Sequence, residues 1–290
     1  MNNPFLNSYP DYEDSNLVRM AAAGDRNALQ SLILRHQVFV YNLALKMTRN
    51  TTDAEDLAQE VIIKAITSLS KFEGRSNFRT WLYRITVNHF LNDTKRNSVA
   101  KVLDFAEYFD SIDSIPVDEL NEQEKTEMAD SIEELRIRCT TGMLLCLDKK
   151  QRLIYILGDL FEISHRLGAE IMGISPSNFR IRLMRARNDL FSWMNQRCGL
   201  INPANPCRCS KKTRGFIDAG LVNPDDLQFN TRYKIKIADL SKKNATTISN
   251  TVVTLQKRIF QSHPLQEPAN VDKIVNEIIN NEVIKFVLNL

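Results

Sequence analysis

From Asp53 to Leu69 the apolar and polar positions repeat with the period of an α-helix. At about 100° per residue, Leu57, Ala58, Val61, Ile62, Ala65, Ile66 and Leu69 fall on one arc, and Asp53, Asp56, Gln59, Glu60 and Ile63 on the opposite one. The predicted helix therefore has a wide core face and a narrow acidic face with one apolar residue in its middle. A merely solvated face usually mixes both signs; here only Lys64, at the edge, is cationic. Thr52 or Asp53 supplies the N-cap signal, and the acids that follow suit the positive end of the helix dipole. After a polar loop, residues 71–77, a second helix runs from Phe78 through Asn88 towards Lys95 and Arg96. Upstream, Asp25 is placed to cap a helix over 26–47 whose Leu29, Leu32, Ile33, Phe39, Val40, Leu43 and Ala44 pack under these two. Ser15 is placed to cap a short helix ending at Ala23, and residues 1–14 read as a flexible start.

The loop and the second helix change the chemistry. Phe72, Phe78, Trp81 and Tyr83 interleave with Lys71, Arg75, Arg79 and Arg84. Rings interleaved with cations suit unstacked bases, because rings give stacking surface and cations follow a phosphate backbone. The same pattern also fits core rings, Leu82 and Ile85 among them, with solvated cations, and both readings stand at this point.

Residues 98–130 carry ten carboxylates against Lys101 and Lys125, with Pro116 and scattered serines, and read as an acidic linker. Helical spacing resumes at 131–147 through Ile132, Leu135, Cys139, Met143, Leu144 and Leu147. Asp148 caps a short helix, Ser164 the next to Met172, Gly173 makes a tight turn, and Ser175 with Pro176 starts the last. That last helix buries Phe179, Leu183, Ala186 and Leu190 and sets Arg180, Arg182, Arg185 and Arg187 within eight residues. Two helices across a glycine turn, the second rich in Arg, fit a helix-turn-helix whose second helix enters the major groove, and a solvated basic helix on a helical bundle is the alternative. Its first turns, with Ser175, Ser177 and Asn178, face base edges, and its arginines reach guanine or phosphate.

Composition adds limits. With 43% hydrophobic and 25% charged residues and a net charge of +3, the chain is not globally basic; its charge is segregated. No stretch approaches the ~20 apolar residues of a membrane span, and the first residues lack a signal peptide's basic start and apolar run, so the expectation is a cytoplasmic protein without membrane insertion. The five cysteines are not read as a disulfide framework. No nucleophile, metal triad or phosphate loop points to an enzyme. The expected fold is mainly α: helical domains over 15–97 and 131–197, joined by the acidic linker 98–130, with an α or α+β extension over 198–290.

DAEDLAQEVIIKAI followed by KFEGRSNFRTWLYRITVNHFLNDTKR resembles region 2 of the sigma-70 family of bacterial transcription initiation factors, in its extracytoplasmic-function (ECF) group. LDKKQRLIYILGDLFEISHRLGAEIMGISPSNFRIRLMRARNDL resembles region 4 of the same family, most specifically in RIRLMRAR. The resemblance implies that Asp53, Asp56, Gln59, Glu60 and Ile63 dock on core RNA polymerase. It implies that Lys71, Phe72, Arg75, Asn77, Phe78, Trp81, Arg84 and Asn88 hold the melted minus-ten strand of promoter DNA. Ser175, Ser177, Asn178, Arg180, Arg182, Arg185 and Arg187 would read the minus-thirty-five duplex. Catalysis would belong to the polymerase, an anti-sigma factor becomes a partner to look for, and the acidic linker would thread the polymerase's nucleic-acid channel. One departure is Leu167-Gly168, where the family usually has a polar and then an apolar residue. A glycine inside a helix costs about 1 kcal/mol relative to alanine.

The alternative is a polymerase-independent helix-turn-helix regulator, which leaves the acidic face and the aromatic-basic loop without a task. A third reading makes the tail a zinc- or redox-sensing module. Cys198, Cys207 and Cys209 are weak zinc candidates without a CxxC pair, a fourth ligand falling to Cys139, Cys146 or His263, and free thiols are the alternative. No other cofactor is expected. In the tail, Lys234 to Ile237 alternates like a strand, and 248–260 and 271–290 read as helices. Its length suggests a tethered regulator.

Overall fold

The structure, a computed structural model, describes residues 10–92, 104–229 and, with breaks, 252–285. In chain order the helices are α1 (Asp11–Ala22), α2 (Arg26–Thr48), α3 (Thr51–Thr67), α4 (Phe78–Asn92), α5 (Phe105–Asp113), α6 (Glu122–Glu127), α7 (Ala129–Leu144), α8 (Lys149–Tyr155), α9 (His165–Met172), α10 (Pro176–Arg197), α11 (Cys209–Asp218), α12 (Val252–Gln261) and α13 (Val271–Ile279). The mainly-α expectation holds, and no strand occurs among the described residues. The strand expected at Lys234 to Ile237 lies outside them. Two compact units form: Met1–Ala100 with Leu153–Leu183 and Leu265–Leu290, and Lys101–Arg152 with Met184–Pro264. The expected division at 97, 130 and 197 followed the sequence; the packing interleaves it.

In the first unit α2 is the central rod. Asp25 caps it by accepting from the backbone N–H of Asn27 and Ala28, and its seven expected core residues are all buried. The expected core arc of α3 is buried too, although its cap is Asn50, whose side chain accepts from Asp53 N, rather than Thr52 or Asp53. The flexible start is corrected over its last residues. The chain is helical from Asp11, because Asp14 is fully buried between Arg35 (2.9 Å) and His36 (3.0 Å), and Asp11 accepts from Asn77 and Arg79. Ser15 lies inside this helix and bonds the Asp11 carbonyl instead of capping.

α9, α10 and the turn between them form as expected. Ser164 accepts from Leu167 N, Gly173 takes the left-handed conformation at φ 65°, and Ser175 accepts from Asn178 N. Gly168 has a packing reason: a Cβ there would stand 2.5 Å from the ring of Phe179, so the missing side chain admits that ring against the α9 backbone.

In the second unit the acidic stretch is not a tether. Within it α5 stacks Phe105 and Phe109 on Trp193, at centroid distances of 5.8 and 6.1 Å. Its carboxylates meet cations from 90 or so residues downstream: Asp118 and Glu124 bind Arg214, Glu119 binds Lys211, and Asp113 binds Arg197 at 2.7 Å. The backbone N–H of Asn121 and Arg214 hold the Glu124 carboxyl below the usual range, and its two acid partners raise Arg214. α7 is the hub of this unit, packed by α6, α11 and α12. Its C-terminal end is closed by Arg152, only 1% exposed, whose guanidinium donates to the carbonyls of Leu144, Leu145 and Leu147 at 2.8–3.0 Å. Burial pushes the Arg152 pKa down to about 10, which leaves it charged at neutral pH.

Candidate functional site

The acidic face of α3 forms because its apolar arc is consumed by α2, leaving the opposite arc outward. Asp56 and Glu60 are exposed, and Asp53, Gln59 and Ile63 are half-buried. The two acids are one helical turn apart and so present charge side by side. Glu60 also meets His89 of α4 at 3.1 Å, and Gln59 donates to Glu277 of α13 at 3.3 Å. α13 packs on α2 and α3, burying Val275, Ile278 and Ile279. Arg26 donates to Asn280, and the buried Asn42 exchanges two hydrogen bonds with the backbone of Gln266, at 2.7 and 2.8 Å.

Next to it the loop into α4 gathers three rings. Phe72, Phe78 and Trp81 have centroids 5.4–5.7 Å apart. Their roles separate: Phe78 is buried and is a core residue, correcting its place among the strand-binding residues, whereas Phe72 and Trp81 are half-buried with an edge outward. Lys71, Arg75, Asn77, Arg84 and Asn88 are exposed around them; Arg75 pairs with Glu73, and Asn77 donates to Asp11. Tyr83 and Leu82 are core, while Ile85 is only half-buried. The hold of α1 on this loop through Asp11 has no local sequence signal, since its partners lie 66 and 68 residues away.

On α10 the buried stripe is as expected: Phe179, Leu183, Ala186 and Leu190 are inaccessible. The opposite edge exposes Ser175, Ser177, Arg180 and Arg185; Asn178, Arg182 and Arg187 are half-buried. Arg182 donates to Asn178 one turn earlier, so its guanidinium is already oriented. Reasoning from charge overlooked Ile181 and Met184, which are 46% and 52% exposed on the same edge. Apolar groups there are suited to thymine methyls, and the signal was their position off the buried stripe.

Of the weak zinc candidates, Cys198, Cys207 and Cys209 gather about one small cavity, and Cys139 of α7 joins them; Cys146 does not line it. Burial pushes all four thiols up, Cys207 to about 11 and Cys209 to about 12.

Residues 32–99 match the family model of sigma-70 region 2, and residues 137–190 that of sigma-70 region 4. The ECF RNA polymerase sigma-E factor of Escherichia coli is 30% identical over 179 residues, covering 60% of this chain and 90% of its own. The RNA polymerase sigma-H factor of Pseudomonas aeruginosa is 29% identical over 180 residues, covering 60% and 90%. A solved structure of CnrH in complex with the cytosolic domain of CnrY aligns with a TM-score of 0.45 and 24% identity, over 63% of this chain and 98% of that one. Neither family model extends into residues 198–290.

Proposed function

The chain belongs to the ECF group of the sigma-70 family, transcription initiation factors that bind core RNA polymerase and direct it to promoter DNA, and we propose that three of its surfaces divide that work. The α3 face with Asp53, Asp56, Gln59, Glu60 and Ile63 docks on the polymerase. Phe72 and Trp81 stack the opened minus-ten strand, while Lys71, Arg75, Arg84, Asn77 and Asn88 follow its backbone. The exposed edge of α10 reads the minus-thirty-five duplex, with Ile181 and Met184 added to its Ser and Arg groups. The observation that carries the reading is the outward placement of Asp56 and Glu60 on a helix whose other arc is core. The polymerase-independent regulator has no support from the relatives. Run-off transcription on genomic fragments with purified core polymerase tests the proposal. The chain is expected to add discrete start sites, and none above core alone would reject it.

Arg180→Ala is expected to weaken promoter binding by about 1–3 kcal/mol if Arg180 pairs with a base, with relaxed preference at that position. A loss uniform across sequences, with a shallower salt dependence, would assign it to phosphate instead. Gel shifts of the holoenzyme at several salt concentrations separate the two.

For the tail we propose that α13 competes with the polymerase for the α2–α3 surface. The Gln59–Glu277 bond and the burial of Val275, Ile278 and Ile279 support this. Ile278→Asp would bury a carboxylate, or else expel the helix. Expulsion is expected to raise the affinity for core polymerase about tenfold or more, measured by fluorescence titration. An unchanged affinity would make the helix a passive cover.

A further inference from the structure

We propose that Cys139, Cys198, Cys207 and Cys209 form a tetrathiolate site for a zinc ion, which ties the start of the tail to α7. Four of the chain's five cysteines, drawn from α7, the end of α10 and the start of α11, line a single cavity together with Phe109, Met143 and Arg136. Their sequence separations predict no such meeting. The fold creates it, and it selects Cys139 over Cys146 and His263 as the partner of the three tail cysteines. His263 does not line the cavity; its ring nitrogen lies 2.7 Å from Oγ1 of Thr140, which does.

The backbone that carries three of the thiols is already fixed. Cys198 and Cys207 sit on an isolated parallel bridge, and Gly199 N donates to Cys207 O at 3.2 Å. Gly199 leaves no space for a Cβ, which would stand 2.2 Å from Cys207 O. Asn205 donates from its side chain to the carbonyls of Asn195 and Cys198, closing the end of α10. Arg208 bonds the carbonyls of Pro203, Asn205 and Cys207. The backbone N–H groups of Ile201 and Asn202 both donate to the Cys198 carbonyl, at 3.3 and 3.1 Å, a turn that fixes the chain just after α10.

Four cysteines on the wall of one cavity, three of them on a loop locked in this way, suit a soft divalent ion of tetrahedral preference. Four thiolates around Zn²⁺ leave a net negative charge, which Lys212 and Arg208 beside Cys207 offset; Arg136 on the cavity wall is already paired with Glu133. Among the described residues no three His, Cys, Asp or Glu side chains stand close enough to hold an ion as they are. Closing the site therefore asks the four thiols to draw together around the ion, by rotation between staggered wells. The ion would displace one proton from each thiol as it binds.

The test uses the full chain, purified reduced and without added chelator. Elemental analysis is expected to give about one zinc per chain. Cys139→Ser and Cys207→Ser should each lower this to a small fraction, while Cys146→Ser should leave it unchanged. Cobalt(II) added to the metal-stripped wild-type chain should give the intense visible bands and thiolate charge-transfer absorption of a tetrahedral sulfur site, so the answer does not depend on the variants folding. Zinc absent from the wild-type chain with no cobalt spectrum would overturn the proposal. So would zinc retained by Cys139→Ser, zinc lost from Cys146→Ser, or a disulfide between Cys198 and Cys207 in the reduced preparation.

Discussion

Asp56→Arg combined with Glu60→Arg is expected to abolish capture of core polymerase. Both side chains are exposed on the same face of α3, and reversing both turns each attraction across the interface into repulsion. Truncating one close charged partner at an interface commonly costs 2–5 kcal/mol, so about 3 kcal/mol, more than a hundredfold in affinity, is a conservative expectation for the double reversal. A pull-down with tagged core polymerase reads the loss. Thermal unfolding of the variant should stay within about 0.5 kcal/mol of wild type, because exposed substitutions away from core features are nearly neutral. Glu60 also contacts His89, a partly exposed pair whose loss has a small effect. Undiminished capture would move the docking surface away from α3.

Arg152→Met is expected to lower stability by about 3–5 kcal/mol, the cost of breaking a buried, charge-assisted network by removing one partner. The chain would lose the three carbonyl contacts to Leu144, Leu145 and Leu147 at the end of α7, in a place water does not reach. Arg152→Lys should recover little, since a single ammonium does not reproduce a planar fork spread over three oxygens. Urea unfolding followed by circular dichroism measures both. A loss under 1 kcal/mol for the methionine variant would mean that the carbonyls find other donors.

Much of this was readable from the chain alone, for local reasons. The caps at Asp25, Ser164 and Ser175 and the left-handed Gly173 depend on residues within one turn, and so do the buried stripes of α2, α3 and α10. What the sequence hid depends on distant partners. The acidic stretch reads as a tether because Lys211 and Arg214 lie more than 90 residues from Glu119 and Asp118. Gly168 reads as a flaw until Phe179 is seen against it. Phe78 and Trp81 share one composition signal and split into core and surface only when Phe72 and His36 pack around them. The outward acidic face of α3 was placed by periodicity, but its contact with α13 was not, because Glu277 is 218 residues from Gln59.

The exchange of bonds between Asn42 and the Gln266 main chain gives the tail an index mark. The buried amide favours one alignment of the incoming segment, since a slip by one residue would leave its Oδ1 without a donor, at about 1–3 kcal/mol, while its Nδ2 keeps the bond to the Val38 carbonyl. The tail is therefore held in register against α2 at Gln266, shortly before α13 begins at Val271, so α13 starts from a fixed point on the helix it covers.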